Sequence, residues 1–294
     1  EAIRKDIEAM ATEFAEGRWN GDRDARPGIT DDVWKHITTD RHGCLNRACP
    51  SFRNCAQVQA RKRVKEASVI VVNHDLLLAD LAMGGGKILP APEDCFYMID
   101  ECHNLPEKAV SSFASSHFVN SERRSAEKLA NLAAAISDAI GKTHATHAER
   151  IHDEAEQLKE NLSDAYSYFA SLSQLKPTRE CPRPTLEFEQ SCVPEEFHEI
   201  GGNIQNLTNS LMGLLEECQQ AVNDLLGTDR SKQALFEKLL ADMGFYMGRL
   251  EEVNTTWSLF LQEPANDNAP PVAKWIEAVK FKTTVDFQLN ASPV

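Results

Sequence analysis

The chain has 294 residues, 42% of them hydrophobic, enough for one large or two ordinary domains with buried cores, which excludes a disordered polar tail. Its 45 acidic and 31 basic side chains leave a formal net charge of −14, which repels nucleic acid unless the basic residues are gathered in one place. Eight cysteines in a chain this long do not make a disulfide-stapled mini-protein, and no run of eighteen apolar residues is present to cross a membrane.

In chain order, residues 1–17 read as an amphipathic helix whose charge does not suit a signal peptide, and the opening Glu in place of Met suggests a processed chain or an excised piece. Residues 18–30 are loop-like, and Thr30, Asp31 and Asp32 can cap a short helix through His36. A cysteine-rich segment follows, then a helix near 55–66. Ala67–Asn73 is a β-branched apolar run suited to a buried parallel strand. Residues 74–83 look helical, Gly84-Gly85-Gly86 forms a flexible turn, and Cys95–Ile99 reads as a second buried strand ending in Asp100-Glu101-Cys102-His103. No strand is expected from about 104 to 262, where segments 121–141, 146–175, 195–226 and 230–261 show helical periodicity, interrupted by a proline linker at 176–185. After a second proline-rich loop at 263–272, residues 283–290 alternate as a third strand. The fold expected is mainly α with an α/β remnant: a helical insertion plus a few parallel strands of an incomplete sheet. Cys192 and Cys218, and Met83, Met98, Met212, Met243 and Met247, read as core filler.

Charge is unevenly placed. Residues 41–65 hold seven Lys/Arg, among them Arg47, Arg53, Arg61, Lys62 and Arg63, and no acid; the other 269 residues are left with 24 basic and 45 acidic groups, a net of −21. This basic block coincides with Cys44-x4-Cys49-x5-Cys55, and Phe52 between them can pack or stack. Three thiols this close favour a metal or iron–sulfur site over free buried thiols, and the coincidence favours phosphate contacts for the block. The second motif is the acidic pair at the end of an apolar strand, where α/β sheets bind ligands. In nucleotide hydrolases the first acid holds Mg²⁺ and the second orients or deprotonates the attacking water. No phosphate loop of the form G-x-x-x-x-G-K-[ST] is present; Gly84-Gly85-Gly86-Lys87 is followed by Ile88.

Residues 42–55, 60–81 and 96–109, in that order, resemble the DinG branch of the XPD-like iron–sulfur superfamily 2 DNA helicases. The close resemblance covers residues 18–118, and the helical remainder agrees in size and position. It implies residues 1–66 as an incomplete iron–sulfur domain, 67–108 and 282–294 as parts of a RecA-like motor domain, and 109–281 as a helical arch. Cys44, Cys49 and Cys55 match three of four ligands of a [4Fe-4S] cluster, the fourth being upstream in the family. Asp100 matches the acid that binds the Mg²⁺ of Mg-ATP, Glu101 the catalytic acid or base, and His103 the coupling histidine. Cys102 stands where the family more often has Ala or Gly. Arg47, Arg53, Arg61, Lys62 and Arg63 are the DNA-contact candidates. The resemblance implies a fragment of an ATP-dependent 5′-to-3′ helicase of repair or replication, acting on single-stranded, forked or structured DNA. A single-stranded-DNA-binding protein is a candidate partner, the chain is expected to be a monomer, and the location is the bacterial cytoplasm, at the nucleoid. Lacking the phosphate loop and second motor domain, the piece alone is expected to be inactive. The alternative weighed is a non-catalytic, metal-bearing helical adaptor.

Overall fold

The computed structural model describes residues 2–38, 44, 49, 51–141, 145–226, 232–263, 272–281 and 284–293. The chain divides into two compact units, Glu1–Tyr97 and Met98–Val294.

The first unit holds α1 (Ala2–Ala15), α2 (Asp31–Ile37), α3 (Ala56–Glu66) and α4 (His74–Ala82), with short 3₁₀ turns at Phe52–Asn54 and Pro92–Asp94. Capping explains two of the helix starts: Thr30 accepts the Val33 N–H at 3.4 Å, and Asn73 accepts the Leu76 N–H at 2.9 Å. The buried side chains are few, chiefly Met10 of α1, Val33 of α2 and Leu77 and Leu78 of α4. Ala67–Asn73 and Cys95–Ile99 correct the sequence expectation. They join no ladder among the described residues, and Val71 and Phe96 are 92% and 103% exposed. Met98, expected as core, is also exposed.

The second unit holds α5 (Leu105–Phe113), β1 (Ser115–Phe118), α6 (Val119–Ile140), α7 (Ala145–Ser171), β2 (Thr185–Glu187), α8 (Glu195–Leu226), α9 (Gln233–Leu261), β3 (Val272–Phe281) and β4 (Thr284–Pro293). α6 packs on α7, α7 on α8 and α8 on α9. The packing follows from apolar stripes such as Ile151, Ala155, Leu158, Leu162, Ala165 and Phe169 along α7, all buried at helical spacing. Close approach is needed at Gly201 of α8, where a Cβ would lie 2.5 Å from the Trp257 ring of α9. The mainly α expectation holds, but the sheet is antiparallel, not parallel, in the order β1-β4-β3-β2. Strands β1 and β2 lie where none was expected, and β3 replaces the helical end of the insertion. One face of the sheet, carrying Ile276, Ala278, Phe287 and Leu289, is buried, and Phe287 meets Phe169 of α7 at 5.9 Å between ring centroids.

Lys274 sits on that same buried face, and its Nζ donates to the carbonyls of Ser191 at 2.9 Å and Gln262 at 2.7 Å. It thereby closes the carboxyl end of α9, and burial pulls its pKa down. Cys218 is buried as expected, its thiol pushed up to about 11 by burial, whereas Cys192 is exposed and not core.

Candidate functional site

The acidic box lies at the start of the second unit. Glu101 has φ +48°, a left-handed conformation uncommon for a residue with a side chain, and its N–H donates to Asp100 Oδ1 at 3.0 Å. The 3₁₀ turn Cys102–Asn104 then leads into α5, whose first turn contains Pro106. This sharp turn brings His103 Nδ1 to 3.3 Å from Glu101 Oε2, with both side chains about two-thirds exposed or more. The structure therefore gathers Asp100, Glu101 and His103 in one accessible turn. Two solvent-facing carboxylates and an imidazole can receive a hydrated divalent cation and orient a water molecule.

The candidate cluster ligands lie in the first unit. Cys44, Cys49 and Cys55 are all free and half-buried. Cys49 and Cys55 line one cavity of about 830 Å³, walled by Met10 and Phe14 of α1, Trp34 of α2, and Trp19; Cys44 is not among its lining residues. Gly21 makes the wall possible. It has φ +85°, and a Cβ there would come within 2.5 Å of Ala56 Cβ, next to Cys55. Among the described residues no group of three or more His, Cys, Asp or Glu is placed to hold a metal ion. The three thiols are of the residue type an iron–sulfur group uses, but the described residues bring only two of them to one apolar cavity.

The described basic candidates lie on the turn and the helix that follow Cys49. Arg53 is exposed on the 3₁₀ turn, and Arg61, Lys62 and Arg63 are exposed on α3, a helix with no buried residue. Three consecutive positions span about 200° of a helix, so the cations of α3 cover rather more than half of its circumference instead of one stripe. None of these four cations makes an ion pair among the described residues, and Arg63 also lines the cavity. Arg47 lies outside the described residues. The two units differ in charge: 15 acidic and 14 basic side chains in Glu1–Tyr97, against 30 and 17 in Met98–Val294.

Sequence reasoning missed Asp80. Its carboxylate, 1% exposed on α4, accepts four backbone N–H groups: Gly86 at 2.9 Å, Lys87 at 2.9 Å, Ile88 at 2.6 Å and Leu89 at 3.4 Å. Burial works to raise its pKa, but the four bonds overcome that and hold it below the usual carboxylate value. The triple-glycine segment, with positive φ at all three residues, is thus an anchored loop wrapped around an internal anion. The only signal in the sequence was an Asp four residues before a glycine run.

No family model matches the chain. Among curated proteins it is similar to the ATP-dependent DNA helicase DinG of Photobacterium profundum, 31% identical over 273 residues, 92% of this chain and 38% of that protein. It is similar also to the DinG helicases of Escherichia coli (strain K12), 30% identical over 269 residues, and of Salmonella typhimurium, 29% over 269 residues. In those two cases the match covers 88% of this chain and 35% of the relative, so the chain spans less than two-fifths of the curated proteins it matches.

Proposed function

We propose that this chain, a DinG-like helicase segment over about nine-tenths of its length, supplies the iron–sulfur region, the D-E-x-H box and the arch of an ATP-dependent DNA helicase. One observation carries the reading: a chain matched to DinG helicases over 92% of its length holds the thiol cavity, the exposed cations of α3 and the acidic turn. In this reading residues 1–66 form an iron–sulfur domain that the chain completes only in part. Residues 67–108 and 282–294 belong to a motor domain, and 109–281 form the arch. The open apolar side chains of Val69, Val71, Phe96 and Met98 suit segments that find neighbours in a motor sheet.

Asp100 binds the Mg²⁺ that accompanies ATP, through water. Glu101, in its left-handed backbone conformation, orients the attacking water and takes its proton. His103, within 3.3 Å of Glu101, carries the state of that carboxylate to neighbouring elements. Cys44, Cys49 and Cys55 would provide three of the four thiolates of a [4Fe-4S] cluster. Arg47, Arg53, Arg61, Lys62 and Arg63 contact the phosphates of single-stranded or forked DNA, by charge and without base readout.

The full protein works as a 5′-to-3′ translocase in the bacterial cytoplasm, at the nucleoid. It acts as a monomer, with a single-stranded-DNA-binding protein as candidate partner. Among the described residues no helix is long and apolar enough to cross a membrane. The metal-bearing adaptor reading gains no support from the relatives. The test is single-stranded-DNA-stimulated ATPase and strand displacement by the full-length protein. Glu101→Gln is expected to abolish both while DNA affinity stays. ATPase unaffected by Glu101→Gln, or DNA-stimulated ATPase from the 294 residues alone, would overturn the reading.

A further inference from the structure

The cavity that Cys49 and Cys55 line does not assemble a cluster site among the described residues: Cys44 is not part of its lining, and no group of three or more metal-ligating side chains forms. Its rings and its charge fit another occupant. We propose that the cavity receives a nucleobase of single-stranded DNA, stacked on the indoles of Trp19 and Trp34 while the neighbouring cations hold the phosphates. The inference rests on the DNA-contact reading of the basic candidates above and is independent of any cluster.

Three helix faces make the walls. Ile7, Met10 and Phe14 recur at helical spacing along α1, and Trp34 and Ile37 lie one turn apart on α2. Gln57, Ala60 and Arg63 recur every three residues on α3, so the basic helix turns one face to the same cavity. Its volume of about 830 Å³ lies within the range of small-molecule sites, about 300–1,000 Å³. The two indoles are half-buried, so each keeps surface to offer an incoming ring. Both are also held in place before any ligand arrives. Trp19 Nε1 donates to the Asp22 carbonyl at 2.7 Å, its ring meets Phe14 edge-on at 6.2 Å, and the Arg26 guanidinium lies 6.0 Å from its centroid. The Arg23 guanidinium lies 5.7 Å from the centroid of the Trp34 ring. Rings held in advance lose little rotamer freedom on binding, which leaves more of the stacking energy for the base.

Charge selects a nucleic acid strand over an uncharged aromatic. Arg63 lines the cavity, and Arg53, Arg61 and Lys62 are exposed on the turn and the helix that supply one of its walls. No Asp or Glu occurs from residue 41 to residue 65. Among the described lining residues the one carboxylate is that of Asp22, and it accepts the Asp24 N–H at 3.0 Å. Phosphate contacts give affinity that depends on salt, and stacking adds a contribution that every base can supply. A free nucleotide carries the same ring and phosphate, but a strand brings enough phosphates to engage several of these cations together.

The test uses the 294-residue chain with its thiols reduced and a chelator present. The probes are a single strand of oligothymidylate, a strand of the same length with abasic sites throughout, and thymidine monophosphate. Oligothymidylate is expected to quench tryptophan emission and, at the same salt, to bind about tenfold tighter than the abasic strand. Trp19→Ala and Trp34→Ala are each expected to bring the two strands within about twofold of one another, with the salt dependence of the abasic strand unchanged. Trp19→Phe and Trp34→Phe, which keep a ring, are expected to retain most of the preference. Thymidine monophosphate is expected to leave the emission unchanged at concentrations where the oligomer saturates. Equal binding of the two strands by the parent chain, or a preference that both Ala variants keep, would overturn the base pocket and leave the phosphate contacts in place. Saturation by the monophosphate at the strand's concentrations would overturn the strand as occupant in favour of a free nucleotide. Binding of neither strand, or binding without salt dependence, would overturn the DNA-contact reading beneath the inference, and the abasic strand tells the two failures apart.

Discussion

His117 gives the second unit a built-in sensitivity to acid. It lies on β1 opposite Leu289 of β4, is 3% exposed, and neither ring nitrogen has a hydrogen-bond partner among the described residues. Its ring stands 6.3 Å from that of Trp257, whose Nε1 is also without a partner. Burial, and secondarily the charge of Arg249, lower its pKa from 6.5 to about 3. The unfolded chain therefore takes up the proton first. The stability that neutral His117 permits is present in full above pH 6.5 and is lost as pH falls from 6.5 toward 3. At about 1.4 kcal/mol for each unit of pKa difference, the loss reaches about 2 kcal/mol at pH 5 and at most about 5 kcal/mol below pH 3.

Replacing His117 by Leu keeps the volume and removes the titrating group. Urea unfolding followed by helical circular dichroism at pH 7.5 and pH 5 reads the difference. The parent is expected to lose about 2 kcal/mol more than His117→Leu between those two values. At pH 7.5 the variant should equal or exceed the parent, because two buried nitrogens without partners no longer need to be desolvated. Glu122, raised by burial and drawn down by Arg249, is common to both proteins and cancels in the comparison. A variant that loses as much stability as the parent on acidification would refute the assignment of a buried, unpartnered imidazole.

Three further outcomes follow from the same geometry. In the full-length protein, Arg61→Gln with Arg63→Gln should weaken single-stranded DNA binding and flatten the dependence of log affinity on log salt by about 1.4, that is about 0.7 for each lost phosphate contact; an unchanged slope in a salt titration removes both residues from the DNA path. Asp80→Ala strips four N–H groups of their acceptor, should cost about 1–3 kcal/mol, and should speed trypsin cleavage after Lys87, as limited proteolysis will read. Gly201→Ala forces a methyl against Trp257 and should cost about 1–3 kcal/mol in urea unfolding, with no change at Gly202, where a Cβ meets nothing within 4 Å.

The helices were legible because each carries its own evidence of packing. A stripe such as that of α7 recurs over 27 residues, long enough for period to outweigh composition. Of the strands only β4 was legible, as the alternation at 283–290; the rest of the strand reading failed for three separate physical reasons. Ala67–Asn73 and Cys95–Ile99 have the composition of buried strands, but composition reports what a segment is suited to pack against, not whether that partner stands beside it. Strands β1 and β2 have four and three residues, too few for any pattern, and owe their state to pairing with β4 and β3. Strand β3 was hidden by Lys274, a cation on the apolar face that breaks the expected alternation.

The same division runs through the site. The thiols, the cations and the acidic pair announce themselves because chemistry demands particular residue types at short spacing. Asp80 and Gly21 do not, because their effect is defined by what lies across a loop from them. A carboxylate with four backbone donors looks, in sequence, like any helical Asp. Its effect is nonetheless to fix the chain between α4 and Pro92, the stretch that leads into the segment ending at the acidic turn. If that turn binds Mg-ATP, the proposed hydrolysis depends on residues whose types alone predict nothing. Substitution at Asp80 would then disturb nucleotide hydrolysis as well as loop protection.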